Sequence, residues 1–243
     1  MNHTKNLRLH SQIRDEIIKS IENGEYKPLD QLPSEDEIAK NLSVSRSSVR
    51  NALLSLEQDG VVLRRHGIGT FIAPYPIRLK NRVDQLNIIP EQITNLGYIP
   101  NLAFNESSQI SGPSNAHEMM DLDINEKIMH SKRLYLANEK PAVFIDDYVR
   151  ITFDESEARW EQFSGNMVEF LDNEFNLHIE YTYGWIKSVK PSQEIAQFLQ
   201  IEESFPLLTE EQVSYDSKGI PIAYGISYHN SEIMEFDFVG RRR

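Results

Sequence analysis

Cysteine is absent from the 243 residues, which removes disulfide scaffolds, thiolate metal sites and cysteine nucleophiles together and makes a reducing compartment, the cytoplasm, the expected location. Long hydrophobic runs are missing too. The first twenty residues, MNHTKNLRLHSQIRDEIIKS, contain no apolar leader core, no later stretch approaches a membrane span, and mean hydropathy is -0.48. A soluble, unprocessed protein with no membrane partner is expected. What remains is enough to fold: 40% hydrophobic residues in 28.2 kDa can supply the core of one large or two ordinary domains.

Basic residues are scarce overall, and the formal net charge is -12. Taken as a sum this disfavours nucleic acid, because Lys and Arg supply phosphate affinity. The distribution changes that reading. Residues 1–75 carry ten Lys plus Arg and ten Asp plus Glu, whereas residues 76–243 carry 15 and 27, so the deficit belongs entirely to the second segment. Two prolines at Ala73-Pro74-Tyr75-Pro76 favour an extended connection. Domains are therefore expected at 1–75 and 76–243.

The first segment reads as helix, helix, helix and hairpin. Ile13, Ile17 and Ile21 recur every four residues up to Asn23-Gly24, an amphipathic helix with a glycine stop. Ser34 follows Pro33 and precedes Glu37 by three positions, a capping box that opens a short helix burying Ile38, Ala39 and Leu42. Ser45 opens the next helix, whose stripe of Val49, Ala52, Leu53 and Leu56 leaves Arg46, Ser47 and Arg50 on the opposite side. After Gln58-Asp59-Gly60, two short apolar runs flank Arg64-Arg65-His66-Gly67-Ile68-Gly69, a hairpin with a glycine-rich tip. This order is that of a winged helix-turn-helix. A helix whose first turn carries Ser45, Arg46, Ser47, Ser48 and Arg50 suits a DNA major groove, since hydroxyls hold phosphates and arginines can grip guanine edges. A nucleotide phosphate loop fits poorly, because the glycines join two strands and do not open a helix.

The run LPSEDEIAKNLSVSRSSVRNALLSLEQDGVVLRRHGIGTFI resembles the winged-helix signature of GntR-type bacterial transcription regulators. That resemblance implies DNA contacts from Ser45, Arg46, Ser47 and Arg50 in the recognition helix and from His66 and Gly67 in the wing. Ser34, Ser48, Arg64 and Arg65 complete the candidate surface. Many relatives carry arginine after the LPSE glutamate where this chain has Asp36, so the operator is expected to differ accordingly.

The second segment contains a near-repeat. Helical patterns start at Asn115 and Ser192, 77 residues apart, and each is followed by strand, turn and strand, with turn prolines Pro141 and Pro221 separated by 80. Two related halves sharing an antiparallel sheet with flanking helices make this an α+β domain. Strand alternation puts Met129, Ser131, Arg133 and Tyr135 on one face of the first of these strands, and groups Phe144, Asp146 and Tyr148 in the next. Under the 80-residue offset the latter correspond to Tyr224, Ile226 and Tyr228. Convergent aromatics with a few polar groups suit a ligand site, so Arg133, Tyr135, Phe144, Asp146, Tyr148, Tyr224 and Tyr228 are the effector-binding candidates.

Residues 80–243 resemble the UTRA effector domain of the HutC-like branch, through Lys132–Pro141, Tyr215–Pro221 and the ending Phe236-Asp237-Phe238. Such domains are similar in fold to chorismate lyase, generally sense small molecules, and dimerise. Relatives that sense phosphorylated sugars tend to carry Arg-x-Arg on the first strand and an acid just after the second turn proline. Here the first strand has Arg133 and Tyr135, and Pro221 is followed by Ile222 and Ala223, which favours an effector with fewer charges.

Other chemistry is thin. Asp146-Asp147, Glu202-Glu203 and Glu210-Glu211 are adjacent in sequence, so strand neighbours point to opposite faces and read as solvated acids. The seven histidines lack metal-ligand spacing, no cofactor is expected, and Arg241-Arg242-Arg243 reads as a solvated tail. The expectation is a repressor, a homodimer on a palindromic double-stranded DNA operator, whose affinity changes with a small-molecule effector. An enzyme with a chorismate-lyase-like domain and an accessory DNA reader is the alternative. A helical effector domain is a third possibility, disfavoured by the strand-rich second segment.

Overall fold

Serine hydroxyls set the helix starts of the N-terminal part. In the computed structural model, which describes residues 2–74, 81–83, 88–150, 159, 160 and 162–238, the Glu37 amide donates to Ser34 Oγ at 3.3 Å while Glu37 Oε2 accepts from the Ser34 amide at 2.8 Å. This reciprocal cap opens α2 (Glu35–Asn41). Ser45 Oγ accepts from the Ser48 amide at 3.1 Å and opens α3 (Arg46–Gln58). The turn between them carries Ser43 in the left-handed region, at φ 54°. With α1 (Asn2–Glu22), these helices enclose Ile13, Ile17, Ile38, Val49, Ala52, Leu53 and Leu56, and the core is closed by Val62 of β1 (Val62–Arg65) and Ile72 of β2 (Gly69–Ile72). The antiparallel β1–β2 pair is the wing. Its tip is shorter than the sequence suggests, because Arg64 and Arg65 belong to β1.

The described residues fall into two compact units, one within 2–74 and the other within 81–238. The proposed connection at 73–76 lies partly outside the described residues, and the Arg241-Arg242-Arg243 tail lies wholly outside them.

The second unit is built twice over. In chain order it runs α4 (Ile89–Asn95), β3 (Pro100–Ile110), α5 (Ser114–Met119), β4 (Ile128–Ala137) and β5 (Lys140–Arg150). The same pattern then repeats as α6 (Met167–Phe175), β6 (Tyr181–Val189), α7 (Gln193–Leu199), β7 (Leu207–Tyr215) and β8 (Pro221–His229). The six strands form one antiparallel sheet of order β3-β4-β5-β8-β7-β6, mirrored about the β5–β8 seam. At that seam Phe144 faces Tyr228 and Tyr148 faces Tyr224, the crossed pairing that a pseudo-two-fold axis between residues 80 apart requires. Helices cover both faces: Ile195 and Leu199 of α7 pack with Leu134 and Phe144 on one side, and Phe170 and Leu171 of α6 pack with Met129 and Val149 on the other. The α+β expectation holds. Among the described residues no helix is long and apolar enough to cross a membrane.

His229, at the end of β8, is completely buried, with Phe236 edge-on at 4.8 Å and, among the described residues, no hydrogen-bond partner for either ring nitrogen. Burial pushes its imidazole down to about 3, and Glu210 on β7, at 3.8 Å, is too distant to hydrogen-bond. The folded ring therefore refuses a proton that the unfolded chain accepts. The resulting stability is present above roughly pH 6.5 and falls by about 1.4 kcal/mol per pH unit below it. Denaturant melts at pH 7, 6 and 5 should show that loss, and His229→Phe should flatten it; equal slopes in both proteins would refute the assignment.

Candidate nucleic-acid interface and ligand cavity

The first turn of α3 gathers its arginines around one acid. Glu35, at the start of α2, accepts from Arg50 Nε and Nη2 at 3.1 Å each, from Arg46 Nε at 3.4 Å and from Arg64 Nη2 of the wing at 2.9 Å. Partial burial opposes its charge, yet the guanidinium groups of Arg50, Arg46 and Arg64 outweigh that and hold the carboxyl below its usual range. The Glu35 side chain is 14% exposed, those of Arg46 and Arg50 57% and 52%. The acid is tucked beneath, and the cations are presented to solvent. Arg46 also reaches Asp36 at 3.2 Å.

The remaining candidates of this part separate by role. Ser45 Oγ lies 2.9 Å from Ser47 Oγ and 2.7 Å from Ser48 Oγ, a hydroxyl cluster at the helix start. Ser34 is committed to its cap, its hydroxyl donating to Glu37 at 2.8 Å. Arg65 lies over the Phe71 ring at 4.7 Å. His66 and Gly67 are exposed at the wing tip, where Gly67 adopts φ 72°, a conformation that favours glycine.

Glu35 was not singled out from the sequence. It sits within LPSE, but only the packing of α2 against α3 and β1 brings it to three arginines. Glu35→Gln should cost on the order of 1 kcal/mol at low salt, the range of a few exposed ion pairs. The melting-temperature difference from the parent chain should shrink in high salt; a salt-independent difference would exclude an electrostatic role.

In the second unit a cavity of about 460 Å³ lies against one face of the sheet. Its floor includes Arg133 and Tyr135 of β4, Asp147 of β5, Ser227 of β8, and Glu210 and Gln212 of β7, with Ile89 and Gln92 of α4 and residues 165–168 at the start of α6 around it. The Arg133 side chain is only 5% exposed. Its Nη2 is ion-paired with Asp147, its Nη1 donates to the Gly165 carbonyl at 2.5 Å, and its guanidinium lies 5.3 Å from the Phe163 ring centre. Tyr135 donates its hydroxyl to the same carbonyl at 2.9 Å. Gly165 has φ 103°, and a Cβ there would approach the Tyr135 hydroxyl to 2.6 Å, so glycine is required on two counts.

The other five effector candidates lie on the opposite face. Register decides this: Arg133 pairs with Ile145, whereas Asp146 pairs with Lys132. Opposed residues share a face, so Phe144, Asp146, Tyr148, Tyr224 and Tyr228 are turned toward α5 and α7. There Tyr148 stacks on His130 at 4.7 Å and on Tyr224 at 6.0 Å, and the Tyr224 hydroxyl donates to Glu211 at 2.9 Å. Phe144 stacks with Phe198 at 4.6 Å and lies tilted against Tyr228 at 6.3 Å. The expected convergence of seven residues is thus corrected to two on the cavity face and five on the other. Asp147 and Glu210 are corrected as well: they do point away from Asp146 and Glu211, but into the cavity and not into bulk solvent.

Comparisons with known proteins extend over both units. The family described as bacterial regulatory proteins, gntR family, matches residues 9–72, and the UTRA domain matches residues 97–235. The chain is 22% identical over 235 residues to the mannosyl-D-glycerate transport/metabolism system repressor MngR of Escherichia coli, covering 97% of each chain. It is also 22% identical to the HTH-type transcriptional repressor NagR of Bacillus subtilis, covering 97% of this chain and 96% of that one. Among solved structures, the possible transcriptional regulator YydK from Bacillus subtilis superposes with a TM-score of 0.73 at 18% identity, over 96% of this chain and 99% of that one.

Proposed function

The chain belongs to the GntR family of bacterial regulatory proteins and carries a UTRA domain, and from that premise we propose that it is a cytoplasmic, operator-specific repressor whose DNA affinity is set by a small molecule in the 460 Å³ cavity. The observation that carries this reading is the cluster of Arg46, Arg50 and Arg64 held on Glu35 beside the hydroxyls of Ser45, Ser47 and Ser48. Guanidinium groups steadied from behind and open in front can grip base edges, while the hydroxyls and the helix start engage phosphates. Arg65, His66 and Gly67 would follow the adjacent backbone or minor groove.

A homodimer on a palindromic operator completes the reading, because one small reader binds weakly and two linked readers gain effective concentration. The outermost strand β6 offers a surface for the second copy. Among the described residues its outer edge has no strand partner, and Tyr183 and Ile186 are 60% and 49% exposed, which is unusual for an edge that stays solvated. Effector binding then favours a spacing of the two readers that fits the half-sites less well. Selection of random duplexes by the purified full chain tests the proposal: an inverted repeat with half-sites about one helical turn apart is expected. Enrichment of no sequence at low salt would refute it.

A further inference from the structure

The two halves of the cavity floor differ in charge. Register aligns Arg133, Ile145, Ser227 and Glu210 in one row across β4, β5, β8 and β7, with Asp147, Gly225 and Gln212 in the next. Arg133 pairs with Ile145, and 80 residues on Gly225 pairs with Gln212, so the pseudo-two-fold of the sheet sets Gln212 in the place of Arg133. The first half holds an acid and a base that neutralise each other, Asp147 and Arg133. In the second half Gln212 stands in the place of Arg133 and Ser227 in that of Asp147, while Glu210, in the place of Ser131, adds an acid with no base beside it.

None of the described lining residues supplies the missing charge. Arg133 is the sole cation among the described lining residues, and both its terminal nitrogens are engaged. It also lies three strands from Glu210, about 14 Å at ordinary strand spacing. Lys187 is turned to the other face and pairs with Glu211. His229, 3.8 Å from Glu210, is kept neutral by burial. Glu180, exposed at the cavity, adds a second acid. Burial lifts the Glu210 carboxyl above its ordinary range with no donor offsetting it. Such a group opposes stability, and clefts that bind ligands are where it is retained.

We propose that the effector is an organic cation, a small polar molecule whose protonated amine ion-pairs with Glu210 while Gln212 and Ser227 hold its body. This rests on the cavity being the effector site. A phosphate would meet Glu210 and Glu180, and among the described lining residues the one guanidinium, that of Arg133, already pairs with Asp147 and the Gly165 carbonyl.

The test is a melting-temperature screen of the full chain with matched probes: glucosamine, glucose and glucose 6-phosphate, then 1,5-diaminopentane, 1,5-pentanediol and inorganic phosphate. Titration calorimetry follows on any probe that stabilises. An amine is expected to raise the melting temperature while its neutral and phosphorylated counterparts do not. Glu210→Gln should weaken that amine at least tenfold and leave the probe-free protein as stable as before or more so. Three results would overturn the charge assignment alone: amine binding that survives Glu210→Gln, a less stable probe-free variant, or stabilisation by a neutral or phosphorylated probe that is lost in Gln212→Ala. Stabilisation by no probe of any class would overturn the cavity as effector site as well.

Discussion

Replacing Arg133 with alanine is expected to destabilise the C-terminal unit by about 3–5 kcal/mol, because removing one member of a buried ion pair strands the other. Asp147, whose carboxyl burial already lifts despite Arg133, would lose its cation, with a side chain only 14% exposed. The Gly165 carbonyl would retain only the Tyr135 hydroxyl. For a unit of this size each kcal/mol moves the melting temperature by roughly 2–4 °C, so a fall of about 10 °C is anticipated in the full chain. The double variant Arg133→Met with Asp147→Leu should recover much of it, since an apolar pair of similar volume often does as well as a buried ionic one. A single variant within about 1 kcal/mol of the parent, against the expected range for a broken buried pair, would show that Asp147 finds another partner. This expectation also warns against reading lost induction in Arg133→Ala as lost effector contact.

The second large effect concerns DNA. Arg46→Ala and Arg50→Ala should each cost about 1–3 kcal/mol of discrimination between operator and random duplex if they make bidentate base contacts, a factor of roughly 5 to 150 each. Fluorescence anisotropy against both duplexes at fixed salt separates this from a uniform loss of phosphate affinity. Ser34→Ala serves as the contrast. Its hydroxyl already serves the α2 cap, so about 1 kcal/mol of stability should be lost, with the specificity ratio unchanged. Retained discrimination in both arginine variants would remove α3 from the interface.

Local chemistry made the N-terminal part readable. Ser34 with Glu37 and the stripe of Val49, Ala52, Leu53 and Leu56 each encode a start or a buried face within a few residues, and the structure follows them. Glu35 escaped because its partners lie 11, 15 and 29 positions away on other elements. The internal repeat was also legible, down to the offset that relates Phe144 to Tyr224. Which face each strand turned to its neighbour was not. That depends on register, and a register shift between Tyr135 and Leu136 leaves no periodic trace in the sequence. One residue of slip exchanges every side chain between faces, which is why Arg133 was grouped with Asp146 and Tyr148.

The mirrored sheet also sets the order of assembly during synthesis. The central strand β5 has its inner neighbour in β8, whose first residue, Pro221, follows Arg150 by 71 positions. Until β8 leaves the ribosome, β3, β4 and β5 form a three-stranded fragment with an open edge bearing Phe144, Ile145 and Tyr148. Pairings this distant are slow, and such edges invite aggregation. Residues 81–150 made alone should accumulate in inclusion bodies, and co-expression of the second half should return them to the soluble fraction.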